Sequence, residues 1–178
     1  TYLLTETETS FDNEKGYKES NRYLEPINIK TSSSEERRKY IKAGLLEQIK
    51  DIISQGHKLI LVYPVPEMSF NVPQRLHNKY LFEKELFENS TPILSGSYEV
   101  FKKRNSLIFE ILDSVKSPNI YRVYPHKLFC NKIFLNRCVA NDNNYVFYAD
   151  DNHLSTKGSK LVVDNIMKEI EKIEFKSN

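Results

Sequence analysis

The run HKLILVYPVPE, residues 57–67, limits what this chain can become. It is apolar without interruption over the length of one strand and ends in Pro64 and Pro66, which cannot continue a central ladder. A strand that does not alternate is expected to be covered on both faces, as in a parallel sheet. Immediately before it lies TSSSEERRKYIKAGLLEQIKDIISQG, a strongly patterned helix. Ser32 and Ser33 each have a glutamate three residues on, as a capping box requires. Ile41, Leu45, Leu46, Ile49, Ile52 and Ile53 share a face, and Gly56 supplies the stop.

The same alternation of elements continues. TYLLTE reads as a short strand followed by a polar loop to about Thr31. A second helix is expected from about Ser97 to Val115, with Phe101, Ile108, Ile111, Leu112 and Val115 at helical spacing. NIYRVYPH reads as a strand, NYVFY as a short extended segment, and STKGSKLVVDNIMKEIEKI as a last helix with Ser155 as N-cap. Helices long enough to cross between parallel strands predict an α/β layered sheet. Such sheets carry their working residues in loops beyond the strands' carboxyl ends, here YPVPEMSF and YADDNH.

At 178 residues with 39% hydrophobic content, the chain is expected to form one domain over residues 1–178. A formal net charge of +2, without a basic block interleaved with aromatics, argues against nucleic acid as a partner. No apolar run approaches the roughly 20 residues that span a bilayer, and the N-terminus lacks a secretory pattern. A chain starting TYLLTETETS, without Met, reads as part of a longer protein. Cys130 and Cys138 lie eight positions apart, close enough to close a small disulfide ring or to be two separate thiols. The histidines at 57, 77, 126 and 153 are scattered, so no zinc site and no cofactor is expected.

YADDNHLSTKGSKLVV holds the pair that carries chemistry. Asp150 and His153 are placed so that the carboxylate can hold the imidazole in one tautomer, freeing its other nitrogen to take a proton from a serine hydroxyl. The plainer reading is a loop leading into a helix, with Asp150 or Asp151 capping backbone N–H groups and His153 on the surface.

DDNHLSTKG resembles the last block of the SGNH (GDSL-type) hydrolase superfamily, in which D-x-x-H-L-S, two variable positions and Gly precede the final helix. More narrowly, the chain resembles the SGNH domain attached to membrane acyltransferase-3 proteins, which O-acylate bacterial surface polysaccharides. LILVYPVPEMSFNVPQRL matches that group's strand and P-x-P-E segment, and LFCNKIFLNRC its cysteine pair. The resemblance is strongest over Leu59–Pro73 and Leu128–Gly158.

It implies a three-layer α/β/α sandwich with a mostly parallel, flavodoxin-like sheet. It implies His153 as general base, Asp150 as its orienting acid, and Asp151 and Asn152 as loop formers. It also implies a Cys130–Cys138 disulfide and a periplasmic setting at the inner membrane. The partners would be a sugar acceptor on a surface polysaccharide and a fused or adjacent membrane acyltransferase domain.

The family's nucleophile sits in a G-D-S block after the first strand, and this sequence has none. Its only Asp-Ser, Asp113-Ser114, falls in an amphipathic helix, which does not present a strained, exposed hydroxyl. Ser95 and Ser97 flank a glycine, but Ser97 reads as an N-cap. Asn13 is not matched to the family's oxyanion block. The expectation is that the serine and an N-terminal strand precede Thr1. Two functions follow: an O-acyltransferase or esterase acting on acyl, notably acetyl, groups of surface polysaccharide, or a non-catalytic carbohydrate-binding or scaffold domain that keeps the fold. Aromatics around Tyr63, Phe70 and Tyr148 are able to stack on a sugar, but most such aromatics are ordinary core or rim residues, and none is singled out.

Overall fold

The computed structural model describes residues 24–83 and 91–175, so the strand expected at TYLLTE and the position of Asn13 lie outside the described residues. Helix α1 covers Ser34–Ser54 and opens as its sequence requires. The Ser33 hydroxyl accepts from the Glu36 N–H, while the Glu36 carboxylate reaches back to the Ser32 N–H and hydroxyl. At its other end Gly56, at φ +84°, and His57 donate to Ile53 and Ile52 carbonyls, a closing turn that needs a left-handed residue.

Strand β1, Leu59–Val62, follows and pairs in parallel with β3, Ile120–Val123, in the register Leu59 with Ile120 through Val62 with Val123. Between them run α2 (Val72–Phe82), β2 (Ser95–Ser97) and α3 (Tyr98–Ser114). After β3 come α4 (His126–Phe129), β4 (Arg137–Val139) and α5 (Thr156–Phe175). β2 and β4 form a second, antiparallel pair. The molecule is therefore an α/β fold with a small parallel sheet, as expected.

Two cores hold it. Leu61 and Ile120 of the parallel pair pack with Ile49 of α1 and Ile111 and Leu112 of α3. Burying each such side chain contributes about 1.5–3 kcal/mol. Met68, Val72, Phe129, Ala140, Tyr148 and Val162 form the second core, which joins the segment after β1 to α2, β4 and α5. β1 departs from expectation in one respect. Leu59 and Leu61 face the first core and α5 also packs against the parallel pair, but Val62, the last residue of the strand, is 43% exposed.

Arg122 explains how a cation sits within a strand. Its guanidinium donates to the Val115 and Leu112 carbonyls at the end of α3 and to the Tyr63 hydroxyl. A fixed cation thus meets orphan carbonyls at the negative end of the helix. Tyr63 in turn donates to Asp113, and burial together with that carboxylate pushes its phenol well above the ordinary range. Tyr63 is a core residue, not a sugar platform.

α2, β2, α4 and β4 were not expected from the sequence. α2 buries only Val72 and Leu76, and Pro73 in its first turn reads as a breaker although that position tolerates proline. β2 and β4 are three residues each, too short for periodicity to register.

Candidate active site

The loop carrying Asp150 and His153 is a closed turn of chain. Tyr148 and Leu154 pair antiparallel, Ala149 donates its N–H to the His153 carbonyl at 2.8 Å, and Ser155 donates to Phe147 at 2.9 Å. Asp150, Asp151 and Asn152 are left at the tip. Ser155 then starts α5: its hydroxyl accepts from the Gly158 N–H and donates to the Val146 carbonyl. Gly158 is where the helix meets the extended segment. A Cβ there would stand 2.1 Å from the Phe147 carbonyl oxygen, so only glycine lets α5 begin this close.

A second segment clasps the tip. Met68 donates to the Asp151 carbonyl at 2.7 Å, Val72 to that of Asp150 at 3.1 Å, and the Tyr148 hydroxyl to Pro66 at 2.8 Å. Tyr148 is fully buried, and burial drives its phenol far above the ordinary value, so it too is structural. Phe70 is half-buried beneath the Arg75 guanidinium, 4.6 Å above its ring. The clasp itself is braced by Glu67, which takes two bonds from Arg104 of α3, at 2.7 and 3.1 Å, in a largely buried ion pair. Sequence reasoning did not find Arg104, because nothing local relates residues 37 positions apart.

At the tip the Asp150 carboxylate makes two kinds of contact. One oxygen accepts from the Asn152 N–H at 2.9 Å and the His153 N–H at 2.7 Å. The other lies 2.7 Å from His153 Nδ1. Both readings of the motif are thus physically present: Asp150 organises its own loop and holds the imidazole. The helix cap falls to Ser155.

Electrostatics follow the geometry. Burial pushes the Asp150 carboxyl up, but the His153 and Asn152 N–H groups and the ring outweigh it and leave it below the ordinary carboxylate value. The hydrogen bond and charge of Asp150 raise His153 above the ordinary imidazole value. Burial raises Asp151, whose backbone carbonyl and not its carboxylate anchors the clasp.

The His153 side chain is 77% exposed against 35% for Asp150, so its Nε2 edge is open to a reacting group. Asp150 is the one side chain among the described residues that hydrogen-bonds the ring. Ser114 donates to the Ile111 carbonyl within α3, and Ser97 caps that helix, so neither reaches it. Among the described residues no group of three or more histidine, cysteine or acidic side chains is arranged to hold a metal.

Cys130 and Cys138 form a disulfide, which ties the end of α4 to β4. Among the described residues no helix is long and apolar enough to cross a membrane.

The family model described as "SGNH domain (fused to AT3 domains)" matches residues 3–168. No curated protein and no solved structure matches the chain.

Proposed function

Because the chain belongs to the SGNH domain family of the kind fused to AT3 domains, whose role is of acyl-transfer or esterase type, we propose that it handles the proton in an O-acyl transfer to bacterial surface polysaccharide. The Asp150–His153 contact carries this reading: a fixed carboxylate on Nδ1 leaves Nε2 as the proton acceptor on an open surface.

His153 Nε2 removes the proton as a serine hydroxyl attacks the acyl carbonyl of the donor, and Asp150 stabilises the imidazolium formed. His153 then returns that proton to the leaving group. In the second half a sugar hydroxyl attacks the acyl-enzyme, gives its proton to His153, and the serine recovers it. Water in place of the sugar gives hydrolysis. The serine is assigned to chain outside residues 1–178, since the sequence has no G-D-S block. The Cys130–Cys138 disulfide supports an oxidising compartment, hence the periplasmic face of the membrane beside the AT3 domain.

The test is acetyl-ester turnover by the protein that includes its AT3 domain. His153→Ala is expected to lower kcat/KM by three orders of magnitude or more, roughly what loss of a triad base costs. Unchanged turnover would favour the second reading, a glycan-binding scaffold, which the absence of a serine hydrogen-bonded to the His153 ring among the described residues also fits.

A further inference from the structure

The ring closed by Cys130 and Cys138 presents three consecutive large apolar residues to solvent: Ile133 is 52% exposed, Phe134 43% and Leu135 83%. Single exposed apolar residues are ordinary, but three together at the end of a braced loop are not. The bracing is specific. Besides the disulfide, the Asn131 N–H donates to the Arg137 carbonyl at 2.8 Å, the Asn131 side chain accepts from the Asn136 N–H at 2.7 Å, and the Tyr98 N–H donates to the Asn136 carbonyl at 3.0 Å. Asn131 and Asn136 both take left-handed backbone, at φ 55° and 57°. A loop held this firmly cannot fold its apolar tip back into the core.

We propose that this tip is a membrane contact that seats Phe134 and Leu135, with Ile133, in the interfacial layer of an anionic bilayer. Three observations select lipid over a protein groove. The exposed tip is only three residues wide, so a soft surface accommodates it without a matching cavity. From His126 to Asn141 the chain carries Lys127, Lys132 and Arg137 and no Asp or Glu. Arg137 is committed to Ser95, but Lys132, beside the tip, is exposed and meets no carboxylate among the described residues. The resulting arrangement, an apolar point with a cation at its rim, complements anionic headgroups. Family members are fused to AT3 domains, which brings such a domain to a membrane while the helices described here do not cross one. The inference does not depend on the role of His153.

The chain has no tryptophan, so Leu135→Trp reports from the tip alone. The emission of this variant should shift to the blue and be quenched by brominated lipid on vesicles of equal parts phosphatidylglycerol and phosphatidylethanolamine. In sedimentation with the same vesicles, Phe134→Ser with Leu135→Ser should lower partitioning about tenfold or more. Lys132→Ala should lower it about fivefold on these vesicles and not at all on phosphatidylcholine. Retained thermal unfolding of each variant shows that the fold survives. Absence of vesicle binding by the unaltered chain would overturn the proposal, as would vesicle binding by the Leu135→Trp variant without a blue shift in its emission. A blue shift seen only on adding detergent-solubilised AT3 domain would also overturn it, in favour of a contact between domains.

Discussion

At the scale of single residues, the four histidines divide by environment. His126 alone among them is buried, packed among the rings of Tyr98, Phe101, Phe109 and Tyr124 at centroid distances of 5.4–5.9 Å. Its Nδ1 has no hydrogen-bond partner among the described residues, and burial, with the nearby Lys127 charge, lowers its pKa. The unfolded chain therefore binds a proton more readily than the folded one. The stability this neutral ring supports is complete above the ordinary imidazole value, about 6.5, and is lost as pH falls from there to the depressed folded value. His126→Phe should flatten that part of the curve of unfolding temperature against pH; a curve unchanged by the substitution would contradict the assignment. His153 is the opposite case, exposed and raised by Asp150.

At the scale of elements, the site depends on how α5 and the cysteine loop are joined to their neighbours. Gly158→Ala puts a methyl group against the Phe147 carbonyl, and α5 must shift to admit it. The expected cost is about 3 kcal/mol, read from denaturant midpoints, with turnover falling as the loop loosens. Replacing Cys130 and Cys138 by alanine releases a ring of separation eight and should cost about 2–3 kcal/mol of stability, seen as a lower unfolding temperature. Long elements were legible because caps and stripes are local: Ser33, Gly56, Ser97 and Ser155 all act where the sequence put them. β2 and β4 were not legible because three residues gain their order from a partner strand some 40 positions away. The exposure of Val62 was missed for a related reason, since an apolar run says what a strand tolerates and not what packs on it.

At the scale of the whole molecule, the two stretches that carry the family resemblance turn out to touch. The segment after β1 holds the His153 loop through Met68, Val72 and Pro66, and Arg104 braces that segment through Glu67. The motif itself could be read from sequence because Asp150 and His153 are three residues apart. The brace could not, because it is made by tertiary packing alone. This organisation gives the proposed base a fixed carboxylate on one side and open solvent on the other. The most direct test of that claim is the pH dependence of kcat/KM for acyl transfer by the protein with its AT3 domain, with and without Asp150→Asn. A base must be neutral to accept a proton, so activity should rise with pH through the His153 ionisation, at a value above that of an ordinary imidazole. Asp150→Asn should move this limb to lower pH and reduce the plateau by about 10³–10⁴-fold. A limb that stays in place, with the plateau intact, would contradict the account.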